Sequence, residues 1–195
     1  MLRKEEFNIS KKEREKLNNH NSLVVWLTGL SGSGKSTIAN ELEKKLYNQG
    51  IRSFILDGDN TRLGINSDLD FTNDGRNENI RRVAEISKLI SDAGIVVICS
   101  FISPLNSYRS LARNIIGSDN FFEVFIDCSL LNCEKRDVKG LYKKARNGEI
   151  KNFTGIDAPF EAPINAELRI DTNKHNIETS CKMIYNSIII KIKPD

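Results

Sequence analysis

Little in this chain punctuates or cross-links it. Its 195 residues hold only four prolines, two methionines, one tryptophan and two histidines. No stretch rich in Pro, Gly or Ser divides the chain, and no internal repeat is visible, so low-complexity and collagen-like architectures are excluded. The four cysteines, Cys99, Cys128, Cys133 and Cys181, form no CxxC pair, and only His20 and His175 could join them. That excludes a disulfide miniprotein and leaves reduced, mostly buried thiols in a cytoplasmic protein as the expectation. Long apolar runs are missing too. Nothing approaches the ~18 residues of a membrane span, and the polar segment Met1–Ser22 carries no secretory signal. Charge of one sign is also scarce. Lys and Arg number 29 against 26 Asp and Glu, a net charge of +3 that does not argue for a nucleic-acid partner.

What remains is an ordinary globular composition, with 39% apolar and 28% charged residues, enough for one domain with a real core. Residues 1–19 read as a polar arm and 20–195 as a single domain. Short apolar runs rich in β-formers alternate with segments of helical period. Strands are expected at Leu23–Leu27, Ser53–Leu56, Ile95–Ile102, Phe121–Asp127 and Leu168–Asp171. Helices are expected at Thr37–Tyr47, Glu78–Ala93, Tyr108–Ile116 and Asn176–Ile190, and the charged stretch 135–152 also reads as helical. Near-continuous apolar strands between helices predict a three-layer α/β/α fold with a mostly parallel sheet and ligands at the carboxyl ends of the strands.

The string Gly29–Ser36, GLSGSGKS, follows the first strand and opens the first long helix. It is a complete phosphate-binding P-loop. Its glycines let backbone N–H groups face phosphate oxygens, and the helix N-terminus adds partial positive charge. Lys35 is expected on the β- and γ-phosphates of ATP and Ser36 on Mg²⁺. A GTP-specific N-K-x-D string is lacking: Asn173-Lys174-His175-Asn176 ends without the aspartate.

A second set of residues suits the other partner of a phosphoryl transfer. Asp57-Gly58-Asp59 follows the second strand, where a carboxylate would hold Mg²⁺ or take a proton from an attacking hydroxyl, with Asp59 preferred because it lies farther from the strand. Arg62, Arg76, Arg81 and Arg82 cluster around Phe71 and Asn79. Guanidinium forks suit sulfate or phosphate, and an aromatic ring suits a base, although Arg81 and Arg82 read more readily as a solvated helix face. The basic segment 135–148 next to a P-loop suits a lid. Three readings stay open on these residues alone: a kinase for an anionic nucleotide, a kinase for another small hydroxyl compound, and a non-catalytic nucleotide-binding switch.

Taken together, the strings resemble the adenylylsulfate kinase family. The matching pieces are WLTGLSGSGKST (Trp26–Thr37), LDGDN-x-R (Leu56–Arg62), R-x-E-N-I-R-R (Arg76–Arg82), SFISP (Ser100–Pro104), RDVKGLYKKAR (Arg136–Arg146) and FTGID (Phe153–Asp157). They occur in the family's order across roughly residues 20–175. The resemblance implies transfer of the γ-phosphate of ATP to the 3′-hydroxyl of adenosine 5′-phosphosulfate, in sulfate assimilation, by a homodimer. It implies that Gly29, Leu30, Ser31, Gly32, Ser33, Gly34, Lys35, Ser36 and Thr37 bind ATP, with Arg136 and Lys139 on the lid and Thr172 and Asn173 near the ATP base. It places Asp59, Arg62, Phe71, Arg76, Asn79, Ile102, Ser103, Lys139 and Phe153 around the acceptor. Phe71 and Phe153 would sandwich the acceptor's adenine, and Arg62, Arg76 and Asn79 would hold its phosphosulfate. Ser103 is implied as an active-site phosphoserine. One departure stands out. After SFISP the family usually carries an aromatic-plus-Arg pair and an acidic-Arg pair, whereas here Leu105-Asn106-Ser107-Tyr108-Arg109 keeps only Arg109.

Overall fold

The computed structural model describes residues 3, 5 and 7–194. Five strands, β1 (Val24–Thr28), β2 (Ser53–Asp57), β3 (Val96–Ser100), β4 (Phe121–Asp127) and β5 (Leu168–Asp171), form one sheet in the order β2-β3-β1-β4-β5. Every pairing is parallel, so the sheet expected to be mostly parallel is wholly so. In-register pairing of Leu27 with Ser100, and of Asp57 with Ser100, brings the ends of β1, β2 and β3 to one level, where the phosphate loop starts.

Both faces of the sheet are covered, which is why its strands read as unbroken apolar runs. Side chains alternate across the pleat. Val25 and Leu27 pack against α2 (Lys35–Tyr47) and α8 (Ile177–Ile192) through Ile38, Leu42, Leu46, Ile184 and Ile188. Val24 and Trp26 face α4 (Asn73–Asp92) and α5 (Asn106–Ile116) through Ile80, Val83, Ala84 and Ala112. A third apolar cluster of Cys128, Cys133, Tyr142, Ala145 and Phe153 underlies the basic segment. All four cysteines are buried and unpaired. Among the described residues, no helix is long and apolar enough to cross a membrane.

Three elements differ from the sequence expectation. Helix α4 starts at Asn73 rather than Glu78, because the Thr72 hydroxyl caps it, accepting from the Gly75 N–H at 3.1 Å. Its first turn is polar and gives no hydrophobic period. The basic stretch 135–152 is not one helix. It is divided between α6 (Leu130–Arg136) and α7 (Leu141–Arg146), with left-handed backbone at Gly140 (φ 65°) breaking the run. The carboxylate of Asp137 then caps α7 by accepting from the N–H groups of Tyr142 and Lys143. In the arm, residues 1, 2, 4 and 6 lie outside the described residues, but Lys11–Asn18 forms helix α1 with a reciprocal Ser10–Glu13 cap. Helix α1 is tied down: Lys11 donates to Asn120 (2.7 Å), Asn18 to the Gly94 carbonyl (2.8 Å), and Ser22 to Glu15 (2.7 Å). The remaining short helix, α3 (Gly58–Leu63), leads out of β2 toward the site.

Candidate nucleotide and acceptor site

The loop from Gly29 to Gly34 joins β1 to α2 at the strand ends. Its shape depends on glycine. Gly29 (φ 152°) lies so close to β4 that a Cβ would run into the Ile126 carbonyl, and Gly34 sits at φ 102° directly before α2. Lys35, the first residue of α2, folds back over the loop and donates to the carbonyls of Gly29 (2.8 Å) and Leu30 (2.7 Å). Its burial pulls the ammonium pKa down to about 8, a fall opposed by the thiol of Cys133 and the carboxylates of Asp57 and Asp59.

Beside Lys35, the Ser36 hydroxyl donates to the Asp57 carboxylate at 2.7 Å and lies 3.1 Å from the Ser100 hydroxyl. The carboxylate against the P-loop serine is therefore Asp57, the last residue of β2, rather than Asp59. Asp59 pairs instead with Lys139 in the break between α6 and α7. Both carboxylates remain near enough to act on the charge of Lys35. Sequence reasoning reached this Asp-Gly-Asp turn but favoured the member farther from the strand. The sheet register, which sets Asp57 opposite Ser100, puts the nearer one beside Ser36.

Arg136 and Thr172 converge on the same loop. Arg136 donates to the carbonyls of Gly32 (3.3 Å) and Thr172 (2.8 Å), and the Thr172 hydroxyl donates to the Ser33 carbonyl (3.0 Å). The side-chain oxygen of Asn173 accepts from the Ser129 N–H (3.2 Å) and the Asn132 amide (2.7 Å), which ties β5 to the start of α6.

Of the expected acceptor residues, Arg62 and Arg76 gather around Phe71, whose ring is exposed. Arg62 lies over that ring with its guanidinium carbon 4.1 Å from the centroid, and Arg76 approaches at 5.6 Å. Arg76 also donates to the Phe71 carbonyl (3.0 Å), the Asn152 carbonyl (2.7 Å) and the Thr154 hydroxyl (3.3 Å), so it bridges α4 to the FTGID segment. Burial lowers the pKa of both guanidiniums. Phe153 is buried and meets Tyr142 edge-on at 5.0 Å, while Asn79 is buried on α4. Arg81 and Arg82 do not join the site. They pair with Glu78 and Asp68 on the outer surface, as a solvated helix face would.

Ile102 and Ser103 follow β3. Ser103 is buried with φ 37°, a conformation uncommon for a residue with a side chain. Its hydroxyl donates to Thr28 (2.9 Å) and accepts from the Trp26 indole (3.1 Å), so it points into the core. Its carbonyl accepts from Arg109 at 2.6 Å. Arg109 is itself buried and paired with Glu123 of β4 at 2.9 Å, an ion pair that sequence reasoning missed. The one available signal was a glutamate inside the apolar run FFEVFID. Desolvation pushes the Glu123 pKa up even with Arg109 and Arg113 beside it.

The adenylylsulphate kinase family model matches residues 21–171. An adenylyl-sulfate kinase of Clostridium acetobutylicum is 56% identical over 174 residues, covering 89% of this chain and 86% of that protein. One from Bacteroides thetaiotaomicron is 53% identical over 185 residues, covering 95% and 92%. The solved structure of the Mycobacterium tuberculosis APS kinase in complex with AMPPNP and APS is 45% identical, with a TM-score of 0.84 over 87% of this chain and 98% of that one. With a phosphate loop at the carboxyl end of the central strand, two arginines against an exposed aromatic ring, and relatives matched over nearly their full length, the chain belongs to the adenylylsulfate kinase family.

Proposed function

We propose that this protein binds ATP and adenosine 5′-phosphosulfate together and moves the γ-phosphate of the first to the 3′-hydroxyl of the second. The products are ADP and 3′-phosphoadenylylsulfate. The observation that carries this reading is the meeting of two anion-binding constructions at one set of strand ends. The P-loop with Lys35 suits the donor's phosphates, and Arg62 and Arg76 set against the Phe71 ring suit an anionic nucleotide.

Lys35 leaves the carbonyls of Gly29 and Leu30 for the donor's phosphate oxygens, where its charge offsets what develops on the transferred group. Asp59 accepts a hydrogen bond from the acceptor's 3′-hydroxyl and takes its proton as the new P–O bond forms and the γ-phosphorus parts from the bridging oxygen, which leaves with ADP. Lys139, paired with Asp59 at rest, lies where it can follow the phosphoryl group as the lid settles. Arg62, Arg76 and Asn79 hold the phosphosulfate, Phe71 and Phe153 flank the adenine, Ile102 lines the pocket, and Arg136 and Thr172 serve the ATP side. Ser103 keeps the β3 turn in shape from outside the chemistry, since its hydroxyl is engaged with Trp26 and Thr28.

Magnesium fits the donor set. Ser36 and Asp57 present hard oxygen ligands side by side, with Asp59 close by, and the described residues contain no cluster of three or more His, Cys, Asp or Glu. Such a site suits a cation that keeps most of its waters and is otherwise held by substrate phosphates. When bound, Mg²⁺ supplies charge neutralisation at the β- and γ-phosphates. The reading also keeps a homodimer, for which exposed Leu63, Ile65 and Leu89 offer apolar surface, and a cytoplasmic setting that suits four unpaired thiols.

The test is ATP consumption measured with and without adenylylsulfate. Fast ADP release only when the acceptor is present, abolished by Lys35→Ala, is the expected result. Nucleotide binding with no response to adenylylsulfate would overturn the reading.

A further inference from the structure

Between α3 and α4 the chain makes a turn in which Asn66 is fully buried. Its N–H donates to the Thr61 carbonyl at 2.9 Å, which fixes the backbone. Its side-chain amide nitrogen donates to the side-chain oxygen of Asn79 at 3.0 Å. The side-chain oxygen of Asn66 has no hydrogen-bond partner among the described residues. A buried amide group left without a partner is costly, but reversing both amides would only move that cost to the Asn66 NH₂, so the orientation has another reason.

The reason lies in what the pair leaves free. Asn79 stands one helical turn after Arg76 on α4, so the two share a face. With its oxygen taken by Asn66, Asn79 keeps its NH₂ group without a partner among the described residues. If both amides were reversed, Asn79 would donate to Asn66 and show its oxygen instead. The Arg62–Arg76 pocket would then offer an acceptor to an anion, which repels rather than binds.

We propose that Asn66 is a positioning residue that locks the Asn79 amide with its donor face outward, so that the anion pocket presents only hydrogen-bond donors. The inference deepens the function proposed above and rests on it. Asn66 touches no reacting atom and acts through Asn79 alone.

A double-mutant cycle reads this directly. Asn66→Ala in the full chain should raise KM for adenylylsulfate about five- to tenfold, somewhat less than the loss of a whole hydrogen bond to a charged group, and leave kcat and the ATP KM near wild type. In an Asn79→Ala background the same change should shift the adenylylsulfate KM by less than about twofold. Should Asn66→Ala not fold, Asn66→Ser completes the cycle with a smaller disturbance. Equal factors in both backgrounds would overturn the proposal. So would an unchanged acceptor KM, or a loss spread equally over both substrates, which is the mark of a merely structural residue. A wild-type enzyme indifferent to adenylylsulfate would instead sink the function itself, and this inference with it.

Discussion

Lys35 is a cation kept in a place that disfavours charge. In the folded protein its ammonium loses its proton near pH 8, against 10.5 for an ordinary lysine, chiefly because it is buried. Between those two values the unfolded chain holds a proton that the folded chain has released, so stability rises with pH across that window. Below pH 8 both states are protonated, and the folded state bears the full desolvation cost. Lys35→Met removes the cost. In denaturant titrations of the apo protein the variant should exceed wild type at pH 7 by up to about 3 kcal/mol, with the gap closing toward pH 10.5. A constant gap across that range would show that burial is not what shifts the group. Function explains the tolerance. If it holds the donor's phosphates as proposed, the lysine is kept even though the carbonyls of Gly29 and Leu30 stabilise it poorly.

At the scale of elements, the turn after β3 is held from two sides. Trp26 and Thr28 grip the Ser103 hydroxyl, and Arg109 of α5 grips its carbonyl while paired with Glu123 of β4. The two supports should fail differently. Ser103→Ala removes a hydroxyl engaged with Trp26 and Thr28 and should keep most of kcat. Arg109→Ala leaves Glu123 buried beside only a partly exposed Arg113 and should cost about 3–5 kcal/mol, read by chemical denaturation. A Ser103→Ala enzyme without turnover, or an Arg109→Ala protein as stable as wild type, would contradict this division.

The same elements show what the sequence could convey. The strand–loop–helix carrying Gly29–Ser36 is contiguous, so composition and period were enough to place it. Arg62, Phe71, Arg76 and Asn79 lie close enough in the chain to be read as one anion-suited cluster, whereas the FTGID segment, which Arg76 reaches across a long chain separation, is assigned to the acceptor only through family resemblance. Contacts between Asn66 and Asn79, or Arg109 and Glu123, leave no periodic trace, since each joins residues on different elements through one side-chain geometry. The choice of Asp57 over Asp59 beside Ser36 needed the register of β2 on β3. The division of 135–152 into two helices turned on Gly140 and on the capping carboxylate of Asp137, which a charge count passes over.

Across the whole molecule, two kinds of electrostatic tie coexist. Arg109–Glu123 is inside, with side-chain exposures of 3% and 8%, whereas Lys139–Asp59 lies open at 61% and 68%. Dissolved ions screen the second far more than the first. Raising potassium chloride should therefore speed amide hydrogen exchange around residues 137–140 while leaving the β4 amides protected. Equal acceleration in both regions would mean that salt loosens the fold generally.

The Lys139–Asp59 contact has one more consequence. While it persists, the carboxylate assigned to take the acceptor's proton is occupied by a cation and is a poor partner for stray water. Under the function proposed above, ATP alone should therefore be hydrolysed slowly, and the arriving sugar hydroxyl must itself displace the lysine.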